Sequence, residues 1–245
     1  MDNNHHIEVI FIDVGNTLRL IVDDEPYQAD ARKKIAALLG IVDESPEVFV
    51  ERLGERYKKY RKWAFDTLRE ASEEELWTQW LLPERSREEI AFLVGELTFL
   101  YRKTMGRRFA HPDARKVVME LSKRGYRLGI ISNTITEREI PKWLEEDGLS
   151  PYFQTVVLSS LYGYRKPGPE IYLEATRRAG VAPAQAAYVA DNPIRDVQGS
   201  REAGFGMVII LSDPDNPDRK PPSEDFAPDV IIEKLSDLLE IFPPR

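Results

Sequence analysis

Asp13, Ser132, Lys166, Asp191 and Asp196 each stand at or just past the end of a short apolar run. Gathered in one cleft, they would make a coherent chemical set. Three carboxylates held close together repel each other and invite a cation. A donor set of oxygens alone, with no His or Cys nearby, selects a hard divalent ion, here Mg²⁺, which keeps several waters. Lys166 and Ser132 suit the oxygens of a phosphoryl group. Asp13 suits a nucleophile, because attack by a carboxylate splits one difficult hydrolysis into two easier steps. Lys166 would offset the repulsion between an anionic nucleophile and an anionic substrate. Taken singly, an Asp after a strand is equally an ordinary turn residue. The order of the set along the chain carries the reading.

The elements that must position these residues follow from periodicity. The stretch IEVIFIDVGNTL, Ile7 to Leu18, is a β-branched apolar run that stops at Asp13 and turns at Gly15 and Asn16. Such a run reads as a strand buried on both faces of a parallel sheet. From Arg107 strands and helices alternate, the pattern of a parallel sheet with crossover helices. Strands are expected over 126–131, 155–158, 186–190, 207–211 and 230–232. Helices are expected over 112–124, 135–147, 169–179, 194–203 and 235–241. Strand ends of a doubly wound sheet gather along one edge, so the five side chains should converge. The fold expected is therefore α/β, a Rossmann-like doubly wound parallel sheet.

Between the first strand and Arg107 the period changes. Residues 20–26 read as a short acidic connection, and 27–105 as helical without a convincing strand. Ser45-Pro46 is an N-cap with proline at the first helical position. Ser72 with Glu75, and Ser86 with Glu89, match capping boxes. Four helices are expected, with apolar faces sufficient for a small core of their own. The division expected is an α/β core over 1–19 and 107–245, with a helical insert over 20–106. Trp63, Phe65, Trp77 and Trp80 read mainly as packing between helices, with a cleft lining as the other use. The basic run Arg56, Lys58, Lys59, Arg61 and Lys62 reads as a solvated helix face.

Composition limits the partners. The chain has 245 residues and a net charge of −8, so charge gives no case for nucleic acid or an anionic membrane surface. It has no cysteine, which excludes disulfides, thiolate catalysis and Cys-based zinc sites and points to a reducing, cytoplasmic setting. The N-terminal residues, with His5 and His6, read as a frayed end without a signal core. The stretch 212–228, rich in Pro and Asp, reads as an exposed loop.

In order, FIDVGNTL, IISNT, YRKPGPEIY and YVADNPIRDVQGSREAGF resemble the four motifs of the haloacid dehalogenase superfamily, mostly Mg²⁺-dependent phosphohydrolases. The helical insert resembles the cap of the family's first cap class. The resemblance implies that Asp13 is the nucleophile and forms an aspartyl-phosphate on a small phosphorylated substrate. It implies that Ser132 and Asn133 hold the transferring group and that Lys166 stabilises charge. Asp191 and the Gly15 backbone carbonyl would join Asp13 as metal ligands, with Asp196 supporting the metal or Lys166. One position departs from the family's phosphatases. They carry a second Asp two residues after the nucleophile, as general acid and base; this chain has Gly15. That departure implies a slow or selective phosphatase. It leaves open a regulatory phosphate-binding relative without turnover, and also a 2-haloacid dehalogenase or a phosphonoacetaldehyde hydrolase. The dehalogenase reading would need a cap arginine, for which Arg32 is the candidate. The phosphonate reading would need a cap lysine, from among Lys33, Lys34, Lys58 and Lys59. Oligomeric state stays open.

Overall fold

The computed structural model describes residues 6–212 and 224–245. Its centre is a six-stranded sheet built from β1 (Val9–Ile12), β4 (Arg127–Ser132), β5 (Phe153–Leu158), β6 (Ala186–Ala190), β7 (Met207–Leu211) and β8 (Val230–Ile232). All pairings are parallel, in the order β5-β4-β1-β6-β7-β8. The two faces of β1 show why its run is continuously apolar. Ile10 and Ile12 pack with Val117, Leu128 and Ile209 on one face, while Val9 and Phe11 pack with Ile171, Tyr188 and Val208 on the other. Helices Ala114–Lys123 and Glu139–Glu146 cover the first face; Glu170–Ala179 and Pro193–Glu202 cover the second. Ile12 is in register with Ile130 of β4 and Val189 of β6. The chain runs outward from β1 through β4 and β5, then returns past it to β6. Asp13 thus leaves the sheet where strand order reverses, the place where open α/β sheets hold ligands.

Helices Glu25–Leu38, Pro46–Thr67 and Val94–Thr104 lie between β1 and β4 and share a second core. The Ser45 hydroxyl accepts from the Val48 N–H at 3.3 Å, which fixes the start of the longest helix. Both capping boxes form, yet each opens a helix of only three or four residues, Glu73–Glu75 and Arg87–Ile90. The first runs into a wide turn, Leu76–Leu81, where the Leu82 N–H reaches back five residues to Trp77 O at 2.8 Å. Trp77 is fully buried in this core and donates to Thr98 Oγ1 at 2.8 Å, so truncation to Ala should cost about 3–5 kcal/mol. Tyr60, Trp63 and Trp80 stack beside it, whereas Phe65 stays half exposed.

The two crossings between sheet and helices differ from the sequence expectation. Residues 19–22 form β2 (Arg19–Val22), paired antiparallel with β3 (Arg107–Ala110). Periodicity misses this pair because each strand has four residues, and the partners lie far apart in sequence. Ile21 and Val22 are also about 41–42% exposed, so no buried alternation marks the strand. The helix expected from 135 starts only at Glu139, because Thr134 and Thr136 form a hydroxyl-bonded turn first. Most of the loop expected over 212–228, together with His5, lies outside the described residues. Among the described residues no helix is long and apolar enough to cross a membrane.

Candidate active site

Asp13 is anchored by its own strand. Its N–H donates to Val189 O of β6 at 2.9 Å, and its Oδ1 accepts from the Val14 N–H at 2.7 Å. Oδ2 is thereby aimed away from the turn, into a cluster of charges. The turn itself is tight: Gly15 is exposed, and Asn16 follows at φ 53°, in the left-handed region. A Cβ built on Gly15 meets nothing within 4 Å.

Lys166 comes from the loop after β5 and is fully buried. Its Nζ lies 3.0 Å from Asp13 Oδ2 and 2.9 Å from Asp196 Oδ1, and it donates to the Tyr188 hydroxyl at 2.6 Å. The Tyr188 hydroxyl in turn lies 3.2 Å from Ile131 O. Burial, then the Asp196 and Asp13 carboxylates, push the Tyr188 phenol well above its usual value, so it stays protonated. The Lys166 loop is fastened by Asn133, whose amide donates to Lys166 O and accepts from the Lys166 N–H, both at 2.9 Å. Gly199 lets the helix of Asp196 approach that loop, since a Cβ there would sit 2.1 Å from Pro167 O. Ser132 is buried at the end of β4.

Asp191 directly follows β6, and Asp196 lies in the first turn of Pro193–Glu202, capped by Asn192. One oxygen each from Asp13, Asp191 and Asp196 lie within 4.8 Å of one another. The predicted carboxylates and Lys166 therefore do converge. The sequence reading passed over the residue seated among them. Arg195 Nη2 lies 2.8 Å from Asp13 Oδ2, 2.8 Å from Asp196 Oδ2 and 3.2 Å from Asp191 Oδ1. Burial would lower its pKa, but Asp196 and then Asp13 overcome this and raise it well above the usual value. The Asp196 carboxyl shows the converse: burial alone would raise it, and Arg195, then Lys166, hold it below its usual range. The anionic oxygens suit a hard divalent cation. Arg195 Nη2 sits among the same three carboxylates that would hold such an ion.

Beside the cluster is a cavity of about 90 Å³, lined in part by Arg195, Asn133, Thr134 and Arg165 and, from the helical insert, Arg61 and Arg102. Phe65 lies under both Arg61 and Arg165, at 4.8 Å from each guanidinium carbon. Glu70 ties the insert to the sheet: it accepts from the Tyr60 hydroxyl and lies 2.7 Å from Ser159 Oγ, which accepts from the Thr134 N–H. Arg61 is exposed, as expected of a solvated helix face, and also lines this cavity. Arg32, the candidate for a dehalogenase cap arginine, instead pairs with Glu25 and does not line this cavity. Lys33, Lys34, Lys58 and Lys59 are exposed and do not line it either.

A family model for haloacid dehalogenase-like hydrolases matches residues 7–204. The chain belongs to that family. Haloacid dehalogenase-like relatives include a glyceraldehyde 3-phosphate phosphatase of Methanopyrus kandleri, 33% identical over 131 residues, covering 54% of this chain and 55% of the relative. A phosphoserine phosphatase of Thermus thermophilus is 33% identical over 162 residues, covering 65% and 57%. The matches thus span little more than half the length of these relatives. Among solved structures, a 2-haloacid dehalogenase from Pseudomonas syringae pv. Tomato DC3000 superimposes with TM-score 0.70 at 25% identity, covering 96% of this chain and 97% of the other.

Proposed function

We propose that this hydrolase is a phosphatase for a small phosphorylated metabolite, working through an aspartyl-phosphate on Asp13. The observation that carries this is the Lys166 ammonium held 3.0 Å from Asp13 Oδ2, beside a small cavity rimmed by arginines. Lys166 lowers the cost of bringing an anionic phosphoryl group to an anionic nucleophile. The cavity volume suits a phosphoryl group with a short attachment. The names of the two phosphatase relatives, both three-carbon phosphate enzymes, agree with that size.

Asp13 Oδ2 forms the new bond to phosphorus as the bond from phosphorus to the leaving oxygen breaks. The leaving group takes its proton from water, because Gly15 offers none. Water then adds to the aspartyl-phosphate, releasing phosphate and restoring the Asp13 carboxylate. Ser132 and Asn133 orient the transferring group. Asp13, Asp191, the Gly15 carbonyl and Asp196 are the residues that would hold Mg²⁺, which supplies charge neutralisation at the phosphoryl oxygens when bound. The helical insert serves as a cap, with Arg61 and Arg102 facing the substrate. Substrates with good leaving groups, such as aryl or acyl phosphates, are favoured.

A second reading rests on Arg195. Hydrolysis of a 2-haloacid by an Asp nucleophile needs no proton donor at position 15, and a cation fixed inside the protein could take the place of a metal. The fold likeness to a 2-haloacid dehalogenase agrees with it. Turnover of p-nitrophenyl phosphate and of 2-chloropropionate, each with and without Mg²⁺, separates the two. The phosphatase reading expects phosphate release that Asp13→Asn abolishes. It fails if the variant matches the parent, or if only chloride is released.

A further inference from the structure

A second cavity, of about 470 Å³, shares only Arg102 with the one beside Asp13. It lies where the two crossings meet the insert and helix Glu139–Glu146. Arg19 comes from β2, Arg108 from β3, Arg102 from helix Val94–Thr104, and Glu139 and Lys142 from Glu139–Glu146. Five cationic side chains and three carboxylates line it, in a chain that is strongly acidic as a whole.

The balance of hydrogen bonds is more telling than the charges. Three guanidinium groups share the single buried carboxylate of Glu139. Arg19 Nη1 lies 3.0 Å and Arg108 Nε 3.7 Å from Oε1, and Arg102 Nε lies 3.2 Å from Oε2. The side chains of Arg19 and Arg108 are only 10% and 8% exposed, and the Nε of each is buried with no hydrogen-bond partner. Buried donors without acceptors are costly, and a buried cation without its own anion more so. Burial, and then Arg102, push the Arg108 guanidinium below its usual value, as expected of a cation short of counter-charge. The other carboxylates of the wall are engaged: Asp147 accepts from Trp143 Nε1 at 2.6 Å, and Glu146 pairs with Lys142 at 3.7 Å.

We infer that this crevice is a second ligand site, for a small molecule carrying two or more oxyanion groups. Arg108 Nη1 donates to Arg102 O and Gly106 O, but neither carbonyl carries a charge; such a ligand supplies the counter-charge that Glu139 shares out three ways, and Lys142 at the rim meets its outer charge. Since its walls come from both crossings, the insert and helix Glu139–Glu146, the occupant ties the insert to a helix that covers the sheet.

Phosphate and carboxylate ligands share this chemistry, so both are probed. Calorimetric titration of the full chain in chelator with inorganic pyrophosphate, and separately with citrate, should show one-to-one binding of at least one. Arg108→Met should weaken it about tenfold or more, the loss of one charged contact. Lys142→Met, at an exposed position that folding tolerates, should weaken it in the same direction. Asp13→Asn should leave it unchanged, and which probe binds names the oxyanion. The inference is overturned if neither probe binds at millimolar concentration. It is equally overturned if Asp13→Asn abolishes the binding while Arg108→Met and Lys142→Met leave it intact.

Discussion

Arg195→Met tests whether guanidinium and divalent ion compete for one seat. Methionine keeps the apolar stem of the side chain at the start of helix Pro193–Glu202 while removing the guanidinium and its charge. The guanidinium donates two hydrogen bonds of 2.8 Å, to Asp13 and to Asp196, and two weaker ones of 3.2 Å, from Nη2 to Asp191 and from Nε to Asp196. About 28% of the side chain faces water, so the low end of the range for charge-assisted bonds applies, ~1.5 kcal/mol each. The two short bonds then make displacement cost about 3 kcal/mol, or roughly 10²-fold in ion affinity. Mn²⁺, a spectroscopic stand-in for Mg²⁺, can be titrated into parent and variant and the free ion read by electron paramagnetic resonance. The variant should bind on the order of 10²-fold more tightly. It should also be less stable than the parent without metal, because three carboxylates are left with Lys166 alone, and regain that stability when Mn²⁺ is added. Equal Mn²⁺ affinity in the two proteins would refute the competition.

Gly15→Asp should raise turnover of alkyl phosphates by up to about 10²–10⁴-fold, the usual worth of a general acid. Its Cβ meets nothing within 4 Å, so a folded variant with no gain in steady-state kinetics would show that proton donation is not what limits the parent. Glu139→Gln should cost about 3–5 kcal/mol at neutral pH in urea unfolding, since it strips three arginines of their shared carboxylate. Burial alone would raise the Glu139 carboxyl; Arg102, Arg108 and Arg19 overcome that and hold it below 4.5. Its contribution is therefore fully present above about pH 4.5 and is lost as pH falls through the depressed value, so parent and variant should converge in stability only in acid. A difference that grew toward low pH would contradict this.

The sheet was legible because β1, β4 and β6 are buried on both faces and read as unbroken apolar runs. Where burial is one-sided or absent, as in β2 and β3, no pattern existed to be read. The capping boxes at Ser72 and Ser86 marked helix starts correctly, but a start signal carries no length, and both helices stop within a turn. At the site, Asp13, Lys166, Asp191 and Asp196 could be picked out because each ends or closely follows a strand, which topology turns into proximity. Arg195 had a weaker signal: it stands in the first turn of the helix that follows Asp191, next to Asp196 in sequence. It was passed over because three acids together suggested an ion from outside rather than a cation from within. Tyr188 and Glu70 carried no such signal. A tyrosine inside an apolar strand reads as core, and Glu70 acquires its role only from Tyr60, Ser159 and Arg165, which the fold brings to it.

Charge at the site bears on which substrate it can hold. Asp13, Asp191 and Asp196 face Lys166 and Arg195, leaving one net negative charge in a largely dry environment. A phosphate monoester brings about two more, and with Arg195 locked onto the carboxylates its approach is unfavourable. A divalent ion held by the same carboxylates would reverse the sign and free the guanidinium. Arg195 already lines the cavity beside Asn133 and Arg165, so once released it has only to turn to meet phosphoryl oxygens. A 2-haloacid carries a single charge and tolerates Arg195 where it is. The position of this one side chain thus bears on both metal and substrate: phosphate affinity should rise with divalent ion in the parent, and in Arg195→Met it should still rise but reach a lower level, since no released guanidinium meets the phosphoryl oxygens. A phosphate affinity indifferent to metal in the parent would favour the haloacid chemistry instead.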